Sequence, residues 1–158
     1  MATSDLVQYL SAKSTDIAAS DRRVTETFIA QGTIGIGDFV SFQVADGAVT
    51  GADRCLKVQR TDSDGAGSKT GIGVCVAVEG VTSGVSAAAG DRVTVVVKGY
   101  VEGANVADGT TAGACLVPGS DAGRAVAAGA NDEVPLVAQL LETPSSNTAD
   151  VWVIGVFS

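Results

Sequence analysis

A chain of 158 residues fits one domain and can bury a core without staples. It carries 10 Lys and Arg against 18 Asp and Glu, a net charge of −8, and no histidine. That balance excludes Ser-His-Asp and Cys-His catalysis and histidine metal sites, and it sets the chain against phosphate backbones and anionic membranes.

Residues 1–33 differ from the rest. Ser4 can cap a short helix, with Asp5 favourable in its first turn. Leu6, Val7 and Leu10 would then form one apolar stripe on a helix too short to be stable alone in water. No basic region followed by an apolar run opens the chain, so no signal peptide is expected. Residues 14–23 are polar and turn-like and end on the paired bases Arg22 and Arg23. Residues 24–30 alternate as a strand should, with Val24 and Phe28 on one face. Of the 18 acids and 10 bases, residues 1–30 hold four and three, which leaves fourteen and seven, and most of the net charge, to the remainder.

From residue 34 onward, short apolar runs alternate with turn signals. Strands are expected at about 38–45, 53–60, 71–79, 92–98, 114–117, 135–142 and 150–157. Asp46-Gly47 and Asp108-Gly109 are strong turn dipeptides. One phrase recurs. Ala89-Gly90-Asp91-Arg92-Val93-Thr94-Val95 is a tight turn running into a β-branched strand, and Ile36-Gly37-Asp38-Phe39-Val40 repeats it. Ala112-Gly113-Ala114-Cys115-Leu116-Val117 is a weaker echo. No segment keeps a helical period, so under about a tenth of this body should be helix. Val, Ala, Gly and Thr dominate, and with only 4% aromatic residues the core must be mostly aliphatic. Trp152, in an apolar run, is expected to pack inside.

The motifs that would carry chemistry are incomplete. Gly67-Ser68-Lys69-Thr70 lacks the spacing of a phosphate-binding loop and precedes a strand, not a helix. Asp62-Ser63-Asp64-Gly65 is half a calcium loop, without the later ligands and the closing Glu. A trimeric dUTPase-like hydrolase would share the length and fragments such as Pro118-Gly119-Ser120-Asp121, but its phosphate and uracil motifs are missing. Cys55, Cys75 and Cys115 are odd in number and far apart, so they make neither a disulfide framework nor a zinc site. They read as reduced, mostly buried, small hydrophobes. No run of about 18 apolar residues is present, so no membrane span is expected. No catalytic residue, metal or cofactor is expected.

Taken in order, the phrases at 36–40, Thr70-Gly71-Ile72-Gly73-Val74-Cys75-Val76-Ala77, 89–95 running into Gly99-Tyr100-Val101-Glu102-Gly103, and the close Val151-Trp152-Val153-Ile154-Gly155-Val156-Phe157-Ser158 resemble the head decoration, or capsid cement, proteins of tailed bacteriophages. The resemblance spans about residues 24–158. It implies an all-β protein: a small antiparallel β-barrel or β-tulip-like domain (34–158) with an extended N-terminal arm (1–33). It further implies a non-enzymatic virion protein, made in the host bacterial cytoplasm. It would sit as a homotrimer on the outer surface of the head and hold the major capsid protein lattice against internal DNA pressure. The arm, through Leu6, Val7, Leu10, Arg22, Arg23, Val24 and Phe28, would meet the capsid protein. The apolar runs at 71–79, 92–98 and 150–157 call for cover on both faces, which a trimer neighbour would supply. Nucleic acid and membrane are not expected partners. Two alternatives stand beside this reading: another virion β-protein (a tail-tube, head-fibre or spike-base subunit), or a carbohydrate-binding β-module. The second needs exposed aromatics, for which Tyr9, Tyr100 and Trp152 are the candidates.

Overall fold

Each recurring glycine phrase folds as the same turn. In a computed structural model, which describes residues 23–42, 56–62, 70–79, 86–129 and 137–154, Gly37, Gly90 and Gly113 have φ of 90°, 96° and 87°. The next residue donates its N–H back three positions: Asp38 to Gly35, Asp91 to Ala88 and Ala114 to Thr111, at 3.3, 3.1 and 3.1 Å. A positive φ at the third position makes each a type II turn, which only glycine enters without strain. A fourth copy, at residues 121–124, is followed by an Ala-rich run in place of the bulkier apolar runs of the others; there Arg124 N–H donates to Asp121 and Gly123 has φ 81°. The two Gly-Asp copies are closer still. Asp38 and Asp91 each accept the N–H at the start of their own turn, from Gly35 and Ala88, at 2.7 and 2.8 Å. An antiparallel bridge between Ile34 and Ala87 sets these two turns against each other.

Nine strands follow: β1 (Arg23–Ala30), β2 (Phe39–Phe42), β3 (Lys57–Arg60), β4 (Gly71–Val78), β5 (Arg92–Asn105), β6 (Cys115–Pro118), β7 (Ala125–Ala127), β8 (Ala138–Leu140) and β9 (Thr148–Val153). The described residues contain no helix. Five strands, in the order β1-β3-β2-β4-β5, close into a barrel because β5 also pairs with β1. One pair, β1 with β3, is parallel, where an antiparallel barrel was expected. The cause is parity: strand directions cannot alternate all the way round a ring of five, so one adjacent pair must run the same way. β7, three residues long and Ala-rich, has no legible signal in the sequence; its order comes from pairing with β6.

β5 joins two halves. Its first part pairs with β1 and β4, and its second part pairs with β9, opening a further sheet in the order β5-β9-β8-β6-β7. The sequence ends this strand near residue 98 at its glycines, but the backbone passes through Gly99 and Gly103 at φ 109° and 67° and remains a strand. Glycine here bends a strand without ending it. A parallel bridge from Val106 to Ala125 draws the far edge of the second sheet back to β5.

The core has two parts. Phe28, Ile34, Val40, Val58, Ile72, Cys75, Val93 and Val95 fill the barrel. Phe39, Val74, Val96, Val101, Leu116, Leu140, Val151 and Val153 lie among the residues between barrel wall and second sheet. β4 and the first half of β5 therefore face core on both sides, with Val74 and Val96 toward one and Cys75 and Val95 toward the other. For the runs at 71–79 and 92–98 the cover comes from the chain itself, whereas the run that begins at 150 keeps Trp152 and Ile154 exposed.

Candidate functional site

The expected arm divides at Arg23. Leu6, Val7, Leu10 and Arg22 lie outside the described residues, as do Cys55 and the rest of 43–55 and 63–69. From Arg23 on, the segment is barrel wall: β1 pairs with β5 from Arg23–Gly99 to Ile29–Arg92. Phe28 is buried and meets Phe42 edge to face, with centroids 5.9 Å apart. It is a core residue and is not available to a partner. Arg23 and Val24, by contrast, are exposed.

The most unusual buried group is Asp38, at the seam between the two halves. Its Oδ2 accepts the Gly35 N–H and its Oδ1 accepts the Asn105 side-chain amide at 2.7 Å. Around it the backbone is tied crosswise: Gly37 N–H to Cys75 O, Cys75 N–H to Asp38 O, Phe39 N–H to Gly123 O, and Asn105 N–H to Gly37 O. Burial pushes the Asp38 carboxyl above its ordinary range, against the hydrogen bonds from Gly35 and Asn105 and the Arg60 guanidinium. The side chain is 7% exposed and its oxygens are engaged, so this is a structural lock and not a reactive acid. An acid held above its unfolded value binds more protons folded than unfolded. Its contribution to stability is therefore full below about pH 3.8 and is lost as pH rises through the folded-state value. A carboxyl 13C titration should place the Asp38 midpoint above 3.8; a midpoint at or below it would contradict the burial argument.

The two described cysteines differ in burial. Cys75 is buried, and burial pushes its thiol up to about 11, which keeps it protonated at neutral pH. Cys115 was expected inside but is exposed, because it opens β6 opposite the exposed Gln139 of β8, before the buried Leu116 and Val117. A thiol reagent added to the native protein should label Cys115 and leave Cys75 untouched until the fold is opened. Peptide mapping that finds Cys75 labelled first would refute the assignment.

The outer face of the second sheet carries the most exposed chemistry. Tyr100, Trp152, Gln139 and Cys115 form one row across β5, β9, β8 and β6 through the pairs Tyr100–Trp152, Trp152–Gln139 and Gln139–Cys115. Trp152, expected inside, is 37% exposed. The reason is parity: Ala149, Val151 and Val153 take the inward positions of β9, so Trp152 between the last two faces out. Beside this row, Ile154 is 40% exposed, Leu141 46% and Val24 53%. Ile154 follows Val153, the partner of Gly99, and brings an aliphatic side chain to the end of the aromatic row, while Val24 is opposite Lys98, across Gly99 from it. The Tyr100 hydroxyl donates to Asp150 Oδ2, and the Gly103 N–H reaches Asp150 Oδ1 at 3.2 Å. That hydrogen bond, with lesser effects from burial and from the charges of Asp150, Glu102 and Glu142, pushes the Tyr100 hydroxyl up to about 12. Only the outward positions of the apolar run distinguish this face, and a run apolar throughout does not reveal which positions those are. No group of three or more Cys, Asp or Glu that could hold a metal occurs among the described residues.

No known protein family matches the chain, and no curated protein is significantly similar to it.

Proposed function

We propose that this protein is a structural binding protein: a capsid decoration protein that associates as a trimer on the outer surface of a phage head and reinforces the major capsid protein lattice. The observation that carries the reading is the exposed contact face at the point where the N-terminal segment enters. Arg23 is opposite Gly99, one residue from Tyr100, and Val24, Ile154 and Trp152 surround that junction. A surface of exposed aliphatic and aromatic groups is suited to holding a protein, and the sequence ahead of β1 adds the apolar residues Leu6, Val7 and Leu10. The seam polar groups, by contrast, are occupied in holding the fold. The turn-strand phrases supply the family resemblance, and the closed barrel is a fold consistent with it. Many weak contacts on a repeating shell add up, so no single site need be strong.

Deleting residues 2–22 should leave the barrel folded and lower occupancy on purified shells at least tenfold, about 1.4 kcal/mol per site. Equal occupancy by the truncated protein, measured by quantitative gel analysis of sedimented shells, would remove the arm from the reading. Failure of the full chain to bind shells would remove the reading itself. The carbohydrate-binding alternative gains one observation, the outward Trp152 opposite Tyr100. Quenching of Trp152 emission by soluble glycans would favour it.

A further inference from the structure

The outer face of the second sheet sets apolar groups beside carboxylates that no base neutralises. Tyr100 and Trp152 are paired across β5 and β9. Ile154 lies two residues beyond Trp152, and Leu141 donates its N–H to the Asp150 carbonyl; both side chains are exposed. Three acids gather at the Tyr100 hydroxyl. Asp150 accepts its hydrogen bond, Glu142 Oε1 accepts the Asp150 N–H at 3.2 Å, and Glu102 stands two residues beyond Tyr100 on β5. The hydroxyl responds to all of them: after its hydrogen bond to Asp150 and its burial, the charges of Asp150, Glu102 and Glu142 hold its proton on. Elsewhere on the described surface Glu79 is paired with Arg92 and Asp121 with Arg124. Among the described residues no Lys or Arg forms an ion pair with Glu102, Glu142 or Asp150.

We propose that this face holds a basic segment of a partner protein, its lysine or arginine cations meeting Glu102, Asp150 and Glu142 beside the Trp152 and Tyr100 rings, and its apolar side chains covering Ile154 and Leu141. On the decoration reading, on which the identity of the partner rests, that segment belongs to the shell protein. Covering a carboxylate without a countercharge is costly, so an occupant of this face has to bring cations. Aromatic faces favour the same groups, tryptophan most of all. The net charge of −8 draws a basic partner in and repels phosphate backbones and other acidic chains. The acids are also held in place before a partner arrives, by the Tyr100 hydroxyl and the Gly103 N–H on Asp150 and by the Asp150 N–H on Glu142. Preorganised groups lose less on association. Ile154 and Leu141 separate this occupant from a sugar: hydroxyl-rich ligands gain nothing from aliphatic side chains, whereas a protein surface buries them.

Trp152 is the single tryptophan of the chain, so its emission reports this face alone. Two probes serve with the full chain: purified shells, and a synthetic peptide alternating valine with arginine, whose counterpart alternates valine with glutamate. The arginine peptide should bind and shift Trp152 emission, and the glutamate peptide should not. Binding of shells and of the arginine peptide should weaken as salt rises through the physiological range, because salt screens the exposed charges. Glu102→Lys should weaken both by about tenfold, with the far-UV circular dichroism unchanged. Glu102→Gln combined with Glu142→Gln should flatten the salt dependence, and the amide oxygen at 142 can still accept the Asp150 N–H. Trp152→Gln should weaken binding and leave the salt dependence as it was. Equal binding of the two peptides, or binding that ignores salt and the charge variants, overturns the proposal. Quenching of Trp152 emission by soluble glycans, with no response to the arginine peptide, overturns it in favour of a sugar. Shells bound equally well by the unaltered chain, Glu102→Lys and Trp152→Gln overturn it while the decoration reading stands. Binding of the arginine peptide through this face by a chain that never binds shells upholds the basic segment and removes the shell.

Discussion

Replacing Phe39 with alanine should cost about 3–5 kcal/mol, the usual range for deleting a fully buried phenylalanine ring. Phe39 is 0% exposed and belongs to the barrel strand β2, yet its ring lies in the core beneath the second sheet. Its backbone is bound on both sides, with its N–H on Gly123 O at 2.9 Å and its carbonyl accepting the Thr61 N–H at 2.9 Å. The site cannot collapse easily, so the cavity should persist. Against a total of roughly 5–15 kcal/mol for a domain, the loss is large. Urea unfolding followed by circular dichroism reports the whole chain, and Trp152 emission reports the second sheet. If Phe39 couples the halves, both probes should move together to lower urea in the variant. Separate transitions, or a loss under about 1.5 kcal/mol, would show that barrel and second sheet are independent units.

Gly123→Ala should cost markedly more than its control, Gly113→Ala. Both glycines occupy the same position of a type II turn, at φ 81° and 87°. At Gly113 an added Cβ meets nothing within 4 Å, so alanine there incurs only the left-handed backbone, about 1 kcal/mol. At Gly123 the Cβ would lie 2.7 Å from both Cγ and Oδ1 of Asp38 and 3.1 Å from Arg60 Cδ. Displacing a buried carboxylate that already accepts two hydrogen bonds adds roughly 1–3 kcal/mol. Thermal or urea unfolding of the two variants side by side reads the difference. Equal losses would mean that the seam around Asp38 is soft, contrary to its crosswise hydrogen bonding.

Much of the fold is legible from local chemistry. Glycine before a β-branched run specifies a type II turn entering a strand, because only glycine reaches that backbone region cheaply and β-branched side chains favour the pleat. The phrases at Gly37-Asp38, Gly90-Asp91 and Gly113 therefore mark the starts of β2, β5 and β6 in the residues themselves. The all-β class follows from the same signals. The arm boundary does not: residues 24–30 alternate as a strand whether they pair with a partner or, as here, with β5 of their own barrel. Alternation shows that a strand exists and leaves its neighbour open.

The tertiary structure alone decides three matters. Runs such as 71–79 are apolar at both parities, so their residues cannot say whether a second copy or the same chain covers the second face; the second sheet does so, packing onto the barrel wall at Val74 and Val96. Among apolar residues in such a run, inside and outside are set by register with a neighbouring strand. This is why Trp152 and Cys115 face out while Phe28 and Cys75 face in. The two Gly-Asp turns, alike in sequence and in local hydrogen bonding, meet different surroundings: Asp91 remains at the surface, whereas Asp38 is enclosed by Gly35, Asn105 and Gly123. A turn is dictated by the few residues within it, and its burial depends on chain that returns from far along the sequence.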